Sequence, residues 1–200
     1  MNSSMKGNGC EQEEKGAQSG LAARLLKQRT VILSGEINRK SGQQIIEQLL
    51  LLAAEEPGKP INLYINSPGG DADVGFAMFD VIRYVQAPVR VIVTGLAASA
   101  GVIVLLAAPR ERRLSMPNAR FLIHQPSTGV HGDVSDIQIE ASEILKCRAK
   151  INKLIAEETN QKPEKVEADT KRNYWMGAQE AVEYGLVGRI VTNTKDVEEA

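Results

Sequence analysis

Cysteine, histidine, aromatic side chains and long apolar runs are all scarce in this chain, and each scarcity narrows what it can be. The two cysteines, Cys10 and Cys147, do not make a disulfide framework. Neither lies in a CxxC or Cys/His cluster, which argues against zinc and points to two free thiols in a reducing compartment. Aromatic residues make up 4% of the chain, so the core is built from Leu, Ile, Val and Ala. With a net charge of −1 and no basic cluster interleaved with aromatics, nucleic acid is not an expected partner. No apolar run reaches membrane-spanning length; the stretch Ile45 to Ala54 is short and carries Glu47 and Gln48. Met1 to Gly20 has no apolar core segment, so it reads as a mobile N-terminal segment rather than a signal peptide. A cytoplasmic protein without membrane contact is the expectation.

What is present is a 200-residue chain, the size of one domain, with an apolar fraction of 42%. Leu21 to Gln28 reads as a short helix, and Thr30 to Ser34 as a strand. Ser41 reads as a helix N-cap with Gln44 as its capping-box partner, opening a helix that runs to Glu55. Ile61 to Asn66 is a strand, Ala72 to Val85 a helix, and Val89 to Thr94 a strand. Short extended pieces follow near Arg113–Ser115 and Arg120–Ile123, then a long helix from Asp133 to Glu158. Val166 to Asn173 and Ala178 to Tyr184 read as helices, and Leu186 to Thr192 as a last strand. Strands alternating with helices predict an α/β fold with a largely parallel sheet. One domain is expected over 21–193, between the mobile segment 1–20 and a C-terminal tail 194–200.

Three places carry chemistry. Ser99 lies in Gly95-Leu96-Ala97-Ala98-Ser99-Ala100-Gly101, after an apolar strand and before the apolar run Val102 to Ala108. A hydroxyl among small residues at a strand-to-helix turn is how a chain presents a serine nucleophile, with the helix N–H groups turned toward a developing oxyanion. Pro68-Gly69-Gly70 follows another strand directly, and two adjacent glycines leave a bare N–H edge. His124 ends a third strand and is the residue type expected to take a serine proton near neutral pH. His131, in a glycine-containing stretch, is the weaker candidate. A third group should orient the histidine, and 25 acidic residues leave that choice open.

Taken together, Asn66-Ser67-Pro68-Gly69-Gly70, Ala97-Ala98-Ser99-Ala100-Gly101, Met116-Pro117-Asn118, Ile123-His124-Gln125-Pro126 and Glu180 to Val187 resemble the ClpP family, the proteolytic subunits of ATP-dependent Clp proteases. The resemblance runs from about Leu25 to Val191. It implies a crotonase-like spiral of β-β-α units with a protruding helix-strand handle, made from the strand and glycine-containing segment before Asp133 and the long helix. It implies two stacked seven-membered rings forming a tetradecamer, working with an AAA+ unfoldase such as ClpX, ClpA or ClpC on unfolded protein substrates. Ser99 is then the nucleophile and His124 the general base, with the Gly70 and Ala100 N–H groups as the oxyanion hole. No metal or organic cofactor is implied, since ATP is used by the unfoldase.

The chain departs from the family pattern at three points. Asn173 stands where the family has its catalytic aspartate. An amide oxygen can accept from the imidazole N–H but brings no charge to stabilise an imidazolium. Rescue by Asp169, four residues earlier, requires the two to share a helix face. Lys171 replaces the acid that pairs with the neighbouring arginine, Arg172, between rings. Asn62 replaces an aromatic residue of the unfoldase-docking cleft, and the segment before Leu25 does not resemble the family's axial loops. The reading is a divergent serine endopeptidase subunit, a homo-oligomer or one conditional on a mixed barrel with a second ClpP. The alternatives are a non-catalytic structural subunit of such a barrel and a crotonase-like enzyme acting on an acyl-CoA.

Overall fold

The computed structural model describes residues 20–198. The N-terminal segment read as mobile, and Cys10 with it, lies outside the described residues up to 19. The first described element is a helix over 20–27 (α1), followed by strand β1, Thr30–Ser34. Helix α2, Arg39–Glu55, leads to β2, Ile61–Ser67, whose alternating burial sets one row against the helices and one row outward. Helix α3, Ala72–Tyr84, and strand β3, Val89–Ala98, follow. Helix α4, Ala100–Leu105, then precedes β4, Arg113–Ser115, and β5, Arg120–Ile123. The C-terminal part comprises α5 (Val134–Thr159), α6 (Pro163–Thr170), β6 (Tyr174–Gly177), α7 (Ala178–Tyr184), β7 (Arg189–Ile190) and α8 (Thr194–Glu198).

The seven strands form one sheet in the order β1-β2-β3-β4-β7, with β5 joined to β3 and β6 joined to β5. All pairs are parallel except β5–β6. Strand β3 organises the fold. Val91–Val93 pair with β4, and three residues further Leu96–Ala98 pair with β5, so one edge is shared between two partners. On its other edge a register shift between Ile65 and Ser67 re-aims the end of β2 toward Ala97. Both irregularities fall at the C-terminal end of the sheet, where the catalytic candidates gather.

The main core lies between the inner face and the helices. Leu33, Leu49, Leu63, Ile65, Val91 and Phe121 are within 1% of complete burial. At roughly 1.5–3 kcal/mol for each large aliphatic or aromatic side chain removed from water, these residues dominate the driving force for folding. A second, separate cluster forms on the outer face from Ile92, Leu114, Val191 and Val197.

Several sequence expectations require correction. Helix α2 is capped by Asn38, not Ser41. The Asn38 side chain accepts from Ser41 N at 3.0 Å, and Ser41 Oγ accepts from Asn38 N at 3.0 Å, so Ser41 is the third helical residue of the capping box. Helix α6 begins three residues early because Pro163 has its φ preset for a first helical turn, and it ends at Thr170. Asn173 is therefore not helical. Residues 174–177, unassigned in the sequence, are a strand because β5 offers them an edge. The last strand shrinks to Arg189–Ile190: Gly185 turns left-handed (φ 96°), and the N–H groups of Leu186 and Val187 both go to Ala181 O in closing α7. No strand forms between His124 and Asp133, since nothing in the single chain pairs with it there. Residues 194–198, read as a tail, form a helix that buries Val197.

Candidate active site

Ser99 stands between β3 and α4 with φ 53° and ψ −120°, a backbone conformation that β-carbon-bearing residues rarely adopt. Its N–H donates to Leu122 O at 2.9 Å, which ties the turn to the end of β5. The surroundings make room for it at the backbone level. A β-carbon on Gly69 (φ 92°) would lie 2.6 Å from Ala98 O, 2.7 Å from Ser99 Cβ and 3.0 Å from Ala100 N. A β-carbon on Gly70 (φ 145°) would lie 2.1 Å from Ile37 O. The Gly-Gly pair is therefore more than a turn: only bare backbone fits against the serine. Ile37 N donates to Gly69 O and Asp71 N donates to Ile37 O, fixing the loop while leaving the Gly70 N–H without an internal acceptor among the described residues. The Ala100 N–H opens α4, at the end of a helix where N–H groups lack intrahelical partners.

Ser99 and His124 line one cleft of about 510 Å³, together with Gly70, Ala100 and the apolar side chains of Val102, Ile103, Ile151 and Ile155. They follow adjacent parallel strands: the β3–β5 register pairs Ala98 with Leu122, one residue before Ser99 and two before His124. No hydrogen bond joins the Ser99 hydroxyl to the His124 imidazole among the described residues, a looseness common in active sites without substrate.

Asn173 arrives by a different route. Strands β5 and β6 are antiparallel and end on the pair Ile123–Tyr174, so His124 and Asn173 both adjoin that last pair, although Asn173 does not itself line the cleft. Beyond that pair the chain leaves the ladder: the Gln125 N–H donates to Thr170 O at 2.7 Å and its Nε2 to Lys171 O at 3.0 Å, which ties the segment after β5 to the end of α6. Asp169 is engaged elsewhere. Its Oδ2 accepts from Tyr184 Oη at 2.9 Å and from Lys165 Nζ at 2.6 Å. Burial, and then Asp169, push the Tyr184 phenol above its ordinary pKa. Asp169 and Asn173 share no helix face, which removes the geometry on which rescue depended.

His131 is exposed before α5 and does not line the cleft. Sequence reasoning missed Asp71, Ile151 and Ile155, which do line it. Asp71 was findable, as an acid straight after Gly70 that caps α3 by accepting from Asp73 N and Val74 N. The two isoleucines come from the far half of α5, and no local pattern announces that approach. Among the described residues no group of three His, Cys, Asp or Glu side chains is placed to hold a metal ion, and no helix is long and apolar enough to cross a membrane.

Comparison with known proteins points to one family. The Clp protease family matches residues 12–194. The chain is 52% identical to ATP-dependent Clp protease proteolytic subunit 2 of Treponema denticola, over 90% of both chains. It is 45% identical to ATP-dependent Clp protease proteolytic subunit 3 of Rhizobium etli, over 94% of this chain and 98% of that one. Among solved structures, an asparagine-to-aspartate mutant of ClpP1 from Listeria monocytogenes superposes with a TM-score of 0.82 at 41% identity, covering 88% of this chain and 99% of that one. With these matches spanning nearly the whole chain, it belongs to the Clp protease family.

Proposed function

We propose that this chain is the proteolytic subunit of an ATP-dependent Clp protease, acting as a serine endopeptidase on unfolded chains inside a barrel-shaped oligomer. The observation that carries the serine-type reading is the strained Ser99 backbone, packed against Gly69 and sharing a cleft with Gly70 and His124. Ser99 Oγ attacks the scissile carbonyl carbon while His124 takes the hydroxyl proton. The carbonyl oxygen gains the negative charge and receives the Gly70 and Ala100 N–H groups. Collapse of the tetrahedral intermediate breaks the C–N bond, and His124 returns its proton to the leaving amine. Water, deprotonated by the same imidazole, then hydrolyses the acyl-serine. The isoleucine- and valine-lined cleft favours apolar side chains beside the cut bond.

Asn173, which like His124 adjoins the last β5–β6 pair, orients the ring through its amide oxygen in place of the family's aspartate. Without a carboxylate there, activity of the isolated chain is weak. Lys171 and Arg172 are both exposed, and neither forms an ion pair among the described residues. Two adjacent cations favour an acidic counterpart on a different chain over a second copy of this one. The relatives numbered subunit 2 and subunit 3 fit a reading in which this chain works in a mixed barrel with a second ClpP, served by an AAA+ unfoldase that consumes the ATP.

The test is hydrolysis of a short fluorogenic peptide by the purified chain, alone and mixed with a second ClpP, with native mass recording ring size. Activity that is low alone, rises in the mixture and falls with Ser99→Ala supports the reading. Labelling of Ser99 by a serine-reactive phosphonate checks the nucleophile directly. Activity unchanged by Ser99→Ala in both settings overturns it and leaves a structural subunit.

A further inference from the structure

The cleft that holds Ser99 is lined by apolar and small side chains, and apart from the titratable His124 it has one charged lining group, the carboxylate of Asp71. Asp71 directly follows Gly70, whose N–H is one of the two oxyanion donors in the reading above. A fixed anion there works against the reaction, because it repels the negative charge that develops on the scissile carbonyl oxygen. The fold does not require a charge at this position. Asp71 caps α3 through Oδ1, which accepts from Asp73 N at 2.9 Å and from Val74 N at 3.2 Å. An asparagine caps a helix equally well. The residue is exposed, and no hydrogen bond or ion pair reaches its Oδ2 among the described residues.

The neighbouring surface does not supply the missing countercharge. A second groove shares Asp71, Ala72 and the stretch Pro126 to Thr128 with the cleft and continues along α5. It carries Asp71, Asp73, Glu140 and Glu143 against Lys146 and Lys150. Each lysine is already engaged: Lys146 pairs with Glu143 at 2.6 Å, and Lys150 Nζ lies 3.6 Å from the centre of the Phe76 ring. A peptide leaving the cleft on this side therefore enters a negative field beside the reacting atoms.

We infer that Asp71 is a specificity-determining residue, selecting substrates that place a lysine or arginine next to the apolar side chain held in the cleft. The inference rests on the proteolytic reading and names its substrate class. A substrate cation pairs with Oδ2 and offsets the repulsion between the Asp71 carboxylate and the oxyanion, whereas a substrate carboxylate adds to that repulsion. Because the offset acts as the oxyanion forms, the preference is expressed in kcat as well as in KM.

The experiment uses the assembled barrel, with any partner ClpP carrying alanine in place of its own nucleophile. The probes are internally quenched peptides with one central leucine, flanked on both sides by lysine, alanine or glutamate, and mass spectrometry locates the cut. The lysine peptide should exceed the glutamate peptide in kcat/KM by about fivefold or more at low salt, and the ratio should contract at high salt. Asp71→Asn, which keeps the cap of α3, should abolish most of the ratio. A smaller ratio, one unmoved by salt, or one that persists in Asp71→Asn overturns the inference. These outcomes are read on cleavage that Ser99→Ala abolishes, which separates them from failure of the proteolytic reading. If no peptide is cut, that reading falls and binding decides the inference. The fluorescein-labelled lysine peptide must then bind the Ser99→Ala chain about fivefold tighter than the glutamate peptide, with the difference lost in Asp71→Asn, and equal binding overturns it.

Discussion

His124 and Asn173 flank the last pair of the β5–β6 antiparallel ladder, Ile123 opposite Tyr174. From that placement we propose that Asn173, and not Asp169, orients the imidazole. Replacing the amide by a carboxylate changes charge with little change in shape. Where a serine protease loses its aspartate to asparagine, kcat falls by about 10⁴. Asn173→Asp is therefore expected to raise kcat on a fluorogenic peptide at least tenfold with KM little changed, and Asn173→Ala to lower it. Steady-state kinetics on the assembled protein decide the point, and equal kcat in all three chains removes Asn173 from the site. Asp169→Ala should act on stability through Tyr184 and leave the kcat ratio of Asn173→Asp to wild type intact.

Gly69 sets the position of Ser99 through direct backbone contact. At φ 92°, a β-carbon there meets Ala98 O at 2.6 Å, an atom with no freedom to move aside. Gly69→Ala should cost about 1–3 kcal/mol of stability from strain at that conformation. It should also push Ser99 away from the oxyanion donors, lowering kcat about 100-fold. Thermal unfolding and peptide hydrolysis on the same preparation separate the two effects. Full activity in a folded Gly69→Ala chain means the serine is not held by this loop.

Arg113 is the largest fully buried polar side chain, 1% exposed, and it fastens the end of α5 to the turn after α4. Its Nε donates to Ala108 O at 2.6 Å and Nη1 to Glu158 O at 2.9 Å, while Nη2 pairs with the Glu158 carboxylate. Burial lowers the Arg113 pKa, and Glu158 opposes that shift. Glu158→Gln leaves the buried cation without its countercharge and should destabilise the fold by about 3 kcal/mol, read by urea denaturation. Arg113→Met with Glu158→Leu should recover most of that loss, because the cost lies in the unpaired charge and not in the missing bond.

Asn38 and Ser41 cap helix α2 as a reciprocal pair, which predicts unequal effects of neighbouring substitutions. Asn38→Ala should cost about 1 kcal/mol. Gln44→Ala, on an exposed side chain without a capping bond, should be neutral. Denaturation midpoints of the two variants test the assignment, and equal losses would restore Ser41 and Gln44 as the box.

The contrast between these residues shows what the sequence discloses. Strands with alternating or unbroken apolar runs, such as Ile61 to Ser67 and Val89 onward, were legible because their period is a local property. Ser99, His124 and the Gly-Gly pair were legible because each sits at an element boundary among residue types with few other uses. The short strand Tyr174–Gly177 was not, because it exists only where β5 lends it an edge. The same holds for Ile151 and Ile155, whose place in the cleft depends on how α5 packs. The left-handed Ser99 backbone is likewise a product of tertiary packing, since serine has no local preference for it. The mis-set cap of α2 has a simpler cause: Asn38, Ser41 and Gln44 stand three apart, so two overlapping capping boxes can be written on one stretch.

Asp196 gives helix α8 a dependence on acidity whose sign follows from its bonds. Its carboxylate accepts from Thr192 N at 2.8 Å, Asn193 N at 3.2 Å and Asn193 Nδ2 at 2.9 Å, and these donors, Thr192 N foremost, hold its pKa below the usual carboxylate value. A depressed pKa in the folded helix means that the helix is favoured wherever the carboxylate of the frayed end is already ionised, and that contribution is lost as pH falls through the lowered value of the folded state. The charged groups facing this helix are Arg90 on β3, Arg189 on β7 and Arg112 in the turn before β4. Amide exchange of 194–198, corrected for the intrinsic pH dependence of exchange, should therefore quicken in acid before the strands β2 and β3 lose protection. Asp196→Asn should show the quickened exchange already at neutral pH and lose the acid dependence. An acid response that persists in Asp196→Asn assigns it to another carboxylate, with Glu198, whose carbonyl accepts from Arg90, as the next to test.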